Sequence, residues 1–142
     1  MRNKRMATNV KLALACIPSA GAATGMTAVE VAGSGYDRAM YILQTGAQAS
    51  GGTLALKIQE AAVTGGGGAW ADITSGALVT LGASAGSKVY IVDVPVNPAK
   101  TFQQIVGTIG TDTIANSVLC MLYGPNTYPV ATTYATQLVT VA

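Results

Sequence analysis

The sequence contains no histidine and few charges, and both shortages restrict the chemistry available to it. Only 10% of its 142 residues are charged, and 6% are aromatic. Without histidine, a Ser-His-Asp triad cannot form and imidazole cannot ligate a metal. Two cysteines with scattered carboxylates do not make a structural zinc set. We therefore expect no catalytic residue, no cofactor-binding residue, no metal site and no enzymatic activity.

Cysteine and long apolar runs are also scarce. Cys16 and Cys120 lie far apart in a chain without a convincing export signal, so free thiols are expected and no disulfide is required. The apolar stretches are interrupted by Lys, Asp, Gly or Pro well before the roughly 18 to 20 residues needed to cross a bilayer. We expect one soluble folded domain without a membrane partner.

Several short motifs that suggest catalysis are incomplete. Residues 82–86, G-A-S-A-G, match the G-x-S-x-G nucleophile elbow, but no histidine base is available to activate Ser84. The glycines at 65–68 are not followed by the Gly-Lys-Ser/Thr of a phosphate-binding loop. Residues 33–35, G-S-G, lack the third glycine of a dinucleotide fingerprint. The six acidic residues form no local glycosidase motif, so all these segments are expected to be loops or solvated surface.

Positive charge is concentrated near the N-terminus. Four of the eight basic residues precede residue 12, whereas the rest of the chain has four basic against six acidic residues, a net charge of −2. Residues 1–25 lack a sustained apolar period, so we expect a basic extended arm there and a folded domain over residues 26–142. The arm residues expected to bind an acidic protein partner are Arg2, Lys4, Arg5 and Lys11. Because the body is slightly acidic, no nucleic-acid partner is expected.

The remainder of the chain has the pattern of an all-β protein. Residues 53–60 alternate strictly, with Leu54, Leu56 and Ile58 on one face. Residues 39–45 are apolar on both faces, and the short Gly/Ser link at 46–52 suggests that these two strands are antiparallel neighbours. Further strands are predicted at residues 28–32, 77–81, 88–94, 102–109, 117–123 and 136–141.

About eight short strands without a helical period favour two packed antiparallel sheets. The predicted fold is an antiparallel β-sandwich, jelly-roll-like, with an extended N-terminal arm. Its core is predicted to include Leu54, Leu56, Ile58, Ile91 and Leu119. The sheet edges carry little charge that would block pairing with other chains, which indicates that the arm or neighbouring subunits cover them.

The strand at 53–60 belongs to a longer motif. Residues 51–61, G-G-T-L-A-L-K-I-Q-E-A, are followed after a glycine-rich turn by W-A-D-I-T at 70–74. This combination resembles tailed-phage head decoration proteins, also called capsid cement proteins, and the resemblance covers roughly residues 36–123. Its pattern residues are Gly52, Leu54, Lys57, Gln59, Trp70 and Asp72. At the turn, family members tend to carry Asp-rich residues, whereas this chain has V-T-G-G-G-G-A at 63–69.

The resemblance implies a β-sandwich on the outside of an icosahedral shell, commonly a trimer, that binds the major capsid protein and reinforces capsomer junctions. It implies a place on the virion exterior, with assembly in the host cytoplasm, and no catalytic residues. A second function stays open, that of a glycan-binding β-sandwich module on a virion or cell surface. Exposed rings among Trp70, Tyr90, Tyr123, Tyr128 and Tyr134 would favour glycan binding. A buried Trp70 and an arm ordered on another chain would favour the structural role.

Overall fold

The computed structural model describes residues 10–19, 26, 28–48, 52–67, 69–73, 79–81, 86–110 and 114–126. This part of the chain contains nine strands and one short 3-10 turn, and no α-helix. The strands are β1 Val10–Ser19, β2 Val31–Ala32, β3 Tyr36–Gln48, β4 Thr53–Ala61, β5 Ala71–Asp72, β6 Val79–Leu81, β7 Val89–Pro95, β8 Phe102–Gly110 and β9 Ile114–Pro125. Sheet A has the order β1-β9-β3-β7, and sheet B has the order β2-β8-β4-β5 with β6 also paired to β4.

The strand pairings are nested, so that each early strand meets a late one. β1 pairs with β9, β2 with β8, β3 with β7 and β4 with β5, all antiparallel. The two sheets are completed because β9 also pairs with β3 and β8 also pairs with β4. This is the strand order of a jelly roll, and the predicted antiparallel β-sandwich is confirmed.

Connections between consecutive strands cross from one sheet to the other, except along β4, β5 and β6. In the turn from β2 to β3, the Tyr36 N–H donates to the Gly33 carbonyl at 3.1 Å. Gly35 has a φ of 85° there, which residues with a Cβ rarely adopt. Since β3 and β4 lie in different sheets, the prediction that the link at 46–52 joins antiparallel neighbours is wrong. This Gly/Ser link is a crossover between the sheets.

The predicted strands at 39–45, 53–60, 88–94, 102–109 and 117–123 are confirmed to within three residues at either end. The strand predicted at 28–32 is shorter, because only Val31–Ala32 forms a ladder and Ala28 makes an isolated bridge to Cys16. Of the strand predicted at 77–81, the described part is Val79–Leu81. The strand predicted at 136–141 lies outside the described residues.

Residues 10–19 form a strand of the sandwich, so their assignment to an extended arm is wrong. They pair along β9, and the side chains of Ala15 and Cys16 are fully buried. This strand was not predicted from the sequence, because its apolar pattern is the reverse of the usual one for a strand with one buried face. Small side chains face the core, whereas Leu12 and Leu14 face outward and are each 47% exposed. The boundary expected at residue 25 therefore does not separate an arm from the folded domain.

The predicted core is confirmed in sheet B and wrong at two positions in sheet A. Leu54, Leu56 and Ile58 are each at most 4% exposed, whereas Ile91 is 61% and Leu119 is 40% exposed. The last two occupy outward positions, because their neighbours along β7 and β9 carry the inward side chains. The buried apolar residues of sheet A are Ala15, Cys16, Ala39, Tyr41, Leu43, Val94, Ile114, Val118, Cys120 and Leu122.

Replacing Leu56 by Ala is expected to lower the free energy of unfolding by about 2 to 5 kcal/mol, because it leaves a cavity among buried side chains. The matched change Leu119→Ala is expected to cost less than about 1 kcal/mol, because that side chain already contacts solvent. Urea denaturation of dilute protein measures both losses. Equal losses would contradict the outward position of Leu119.

Deleting residues 1–15 is expected to lower the Tm by roughly 5 °C or more, because it removes half of β1 and leaves one edge of β9 unpaired. Deleting residues 1–9 is the control, since it retains all of β1, and a smaller change is expected. Differential scanning calorimetry compares the two truncated chains. An unchanged Tm after the longer deletion would show that β1 is dispensable for the fold.

Candidate protein-interaction surface

The structure contradicts the prediction of partner binding for one of the four basic residues. Lys11 lies within β1 and is only 8% exposed, and its ammonium group donates to the Ala32 carbonyl at 3.2 Å. Its inclusion among the partner-binding residues is wrong, because the side chain is part of the sandwich interior. Arg2, Lys4 and Arg5 lie outside the described residues.

Lys11 belongs to a buried polar network that the sequence analysis did not identify. The Tyr41 hydroxyl donates to Gln103 Oε1 at 3.2 Å, and Gln103 Nε2 donates to the Pro95 carbonyl at 3.0 Å. Tyr41 also forms a hydrogen bond with Cys120, and the charge of Lys11 acts on the same thiol. Buried polar groups are stable when they are paired. The network therefore joins β1, β3 and β9 of sheet A to β8 of sheet B.

Both cysteines are buried free thiols, as expected from the sequence. Burial raises the pKa of the Cys120 thiol from its ordinary value of 9.0 to about 12, against the opposing effects of Tyr41 and Lys11. Burial also raises the pKa of Tyr41 well above its usual range. Both groups are therefore protonated in the folded chain at neutral pH, and Cys120 is a poor nucleophile there.

The free energy of unfolding is expected to fall as the pH rises from about 9 to about 12. Across this window the unfolded chain releases the Cys120 proton that the folded chain retains, so stability present below pH 9 is progressively lost. The loss from this thiol is about 1.4 kcal/mol per pH unit. Urea denaturation at several pH values should show a shallower decline for Cys120→Ala. An identical decline in the variant would contradict the raised pKa.

The residues that carry the family resemblance meet on β4 and β5. Leu54 is in the core and Gly52 is buried, so these two serve packing. Lys57, Gln59 and Asp72 lie on the outer face of sheet B, where the register places Gln59 directly opposite Asp72. Trp70 is half-buried just before β5.

Asp72 is the centre of a polar ladder across sheet B. Its Oδ1 accepts a hydrogen bond from Gln59 Nε2 at 2.8 Å and lies 3.1 Å from Lys57 Nζ. The hydrogen bond from Gln59, followed by that from Lys57, lowers the pKa of Asp72. On the neighbouring strand, Gln104 Nε2 donates to Gln59 Oε1 at 3.0 Å. The motif thus connects β5, β4 and β8.

The glycine-rich turn after β4 is held by an acidic residue from another segment. The Glu30 carboxylate accepts hydrogen bonds from the Thr64 hydroxyl at 2.6 Å and from the Gly65 N–H at 2.7 Å. Gly65 has a φ of 70°, which favours glycine at this position. The carboxylate that holds this turn therefore comes from the segment just before β2. Ser84, in the other glycine-containing motif, lies outside the described residues.

The outer face of sheet A carries apolar side chains on all four strands, bordered by a mixed row of Ser117, Gln44 and Val89 on β9, β3 and β7. One complete row, in the order β1, β9, β3 and β7, consists of Leu14, Leu119, Ile42 and Ile91. The adjacent row, in the same order, consists of Leu12, Met121, Met40 and Asp93. A bulge in β1 after Leu14 lets Ile17 return to this side of the sheet. We call the outward side chains of β1, β9, β3 and β7 the sheet A face.

The sheet A face contains most of the strongly exposed large aliphatic side chains that the structure describes. Among the described residues, seven large aliphatic side chains are 40% or more exposed. Six of them belong to this face, namely Leu12, Leu14, Ile17, Val89, Ile91 and Leu119. Contiguous exposed apolar patches mark sites at which proteins bind other molecules. The sequence analysis missed this site because it assigned Ile91 and Leu119 to the core.

A paired polar cluster closes one end of the sheet A face. Arg38 Nη2 lies 2.9 Å from Asp93 Oδ2, and the Tyr123 hydroxyl donates to the same oxygen at 2.7 Å. The hydrogen bonds to Asp93 are the largest cause of the raised pKa values of Arg38 and Tyr123. Since one cation faces one carboxylate, the cluster carries no net charge. At this end, the exposed aliphatic surface is therefore bordered by a neutral cluster.

In the described ranges, no group of three His, Cys, Asp or Glu side chains is placed to hold a metal ion. Within the same ranges, no helix is long and apolar enough to span a membrane. Each tryptophan, tyrosine and phenylalanine side chain in this part of the chain is half-buried or buried.

No protein-family model and no curated protein matches this sequence. Among solved structures, a chain in the structure of infectious bursal disease virus, Gx strain, is similar to this one with a TM-score of 0.39 and 11% sequence identity. The similarity covers 84% of this chain and 35% of the viral chain. The present chain thus spans about a third of the viral chain's length.

Proposed function

We propose that this protein is a structural component of a tailed-phage virion that decorates the outside of the capsid, binds the major capsid protein at capsomer junctions and stabilises the shell. It assembles onto the shell in the host cytoplasm. It has no enzymatic activity and uses no cofactor. The trimer that the family resemblance implies is the alternative to the face-to-face dimer inferred below, and the mass of the full chain in solution distinguishes the two.

The arrangement of the motif residues is the observation that carries this proposal. Lys57 and Gln59 lie 15 and 13 positions from Asp72 in the sequence, yet both donate hydrogen bonds to its carboxylate. The two short segments that carry the resemblance therefore act together in one β4–β5 unit. This geometry supports the interpretation that the two segments form one structural element. It is less consistent with two independent chance matches to the family pattern.

The sheet A face supports a role in assembly for a different reason. An apolar outer sheet face is unfavourable in water and becomes favourable when another protein covers it. A protein that works as an isolated binding domain needs no such face. Contact between copies of a virion protein would cover the exposed aliphatic rows.

The glycan-binding alternative has no comparable support. It requires exposed aromatic rings on which a sugar can stack. Trp70, Tyr90 and Tyr123 are half-buried, and the Tyr123 hydroxyl is engaged with Asp93. Tyr128 and Tyr134 lie outside the described residues. No feature of the described part favours sugar binding over the structural role.

Capsid contact is assigned to the basic residues that precede β1. β1 begins at Val10, which pairs with Tyr123 at the polar end of the sheet A face. Arg2, Lys4 and Arg5 lie five to eight positions earlier and can reach at most about 27 Å from Val10. Their charges would meet acidic groups on the shell, and salt would weaken that attraction.

Capsid attachment is expected to weaken when Arg2, Lys4 and Arg5 are all replaced by serine. The matched control replaces Arg2 and Arg5 by lysine and Lys4 by arginine, which keeps the same charge at the same positions. Both variants are added to particles from a phage that lacks the gene, and bound protein is quantified by gel densitometry. We expect occupancy to fall severalfold only in the first variant, and the wild-type protein to detach as salt rises.

Equal occupancy by wild type and the N-terminal variant at moderate salt would remove the role assigned to these residues. The broader proposal is tested separately, by the presence of the protein in stoichiometric amounts in purified virions. Its absence from virions would contradict a structural role there.

A further inference from the structure

We infer that the sheet A face joins two copies of this chain, with the same face of a second copy as its occupant. The contact is isologous, meaning that the same patch is used by both copies. It concerns the association of the protein with itself. It is independent of capsid binding, so either property can fail without the other.

The chemistry of the face suits close packing of one sheet on another. The row from Leu14 to Ile91 contains four aliphatic side chains and crosses the whole width of sheet A. On β7 at the edge of the sheet, Val89 is 59% exposed and Ile91 is 61% exposed. Sheets that stack face to face bury interdigitating aliphatic side chains about 10 Å apart. A second sheet would therefore cover the groups that water now contacts.

A second copy of the same face is the occupant that the described surface favours. The one other large aliphatic side chain exposed to this degree in the described ranges is Val63, which stands alone after β4. The described part thus offers no second apolar patch for a head-to-tail contact. Because Asp93 already pairs with Arg38, two such faces meet without like-charge repulsion.

The size of the face lies near the lower limit for a specific contact. Four strands about 4.8 Å apart and three rows of outward residues give roughly 400 Å² of projected area per copy. The accessible area exceeds the projection because the side chains are uneven. Two faces with their polar rims therefore approach the roughly 1,200 Å² at the lower end of specific interfaces. The contact is expected to be a reversible dimer that depends on protein concentration.

The test uses the full chain and measures its mass by sedimentation equilibrium over a range of concentrations. Wild type is expected to approach twice the mass of one chain, and Ile91→Lys is expected to raise the dimer dissociation constant by on the order of tenfold or more. The matched control is Val63→Lys, which places the same charge at an exposed aliphatic position away from the face. Leu14→Lys, on β1 at the opposite side of the face, provides a second variant. Circular dichroism verifies that each variant retains its strands.

Several outcomes would overturn the inference. A wild-type chain that stays monomeric at the highest concentration reached would show that no second copy binds. If deleting residues 127–142 then produced a dimer, the occupant would be the chain's own C-terminal segment. A trimer, or a dimer that folded Ile91→Lys and Leu14→Lys leave intact, would place the contact between copies elsewhere. The trimer implied by the family resemblance is thereby distinguished from face-to-face pairing.

Discussion

Two-sided pairing of β9 is the constraint on which both the core and the outer surface of sheet A depend. β9 lies between β1 and β3, so its register sets the positions of two strands that lie near the other end of the described chain. With this register, Val118 and Cys120 point inward while Leu119 points outward. A slip of one residue would exchange the two sets, since side chains in a strand alternate between its faces. The same hydrogen bonds thus define the interior and the apolar rows outside.

The extent to which sequence predicts the fold differs sharply between β4 and β1. In β4 the large apolar residues share one face and polar residues share the other, so period two identifies both the strand and its buried side. In β1 the alternation is reversed, with Leu12 and Leu14 outward and Ala15 inward. In β1, hydrophobicity assigns the wrong strand face to the interior. The pattern identifies the buried face of a strand only when the opposite face is polar. The sheet topology also could not be predicted from the local sequence pattern, because a Gly/Ser link fits a hairpin and a crossover equally well.

The candidate sites could be predicted from the sequence to different degrees, and each difference has a physical reason. The motif of Lys57, Gln59 and Asp72 was recognisable, but strand register explains why these residues belong together. Lys11 was misassigned because charge near the N-terminus suggested solvent, whereas its ammonium group lies against the Ala32 carbonyl inside the sandwich. A signal for the buried network was present in β8, where Gln103 occupies an inward position next to Ile105 in the alternation. A polar residue at such a position must be paired, and that requirement points to a partner such as Tyr41.

The nested order of the strands affects how the chain folds during its synthesis. β1 is synthesised first, yet its ladder partner is β9, about a hundred positions later in the chain. Contacts of such long range close slowly because loop-closure entropy is lost before the contacts form. During translation, β1 must therefore wait with its backbone unpaired and with Ala15 and Cys16 uncovered until nearly the whole described chain has emerged. For a protein with so little charge, this interval is the period of greatest risk of aggregation, and it favours rapid completion of the chain over stepwise folding.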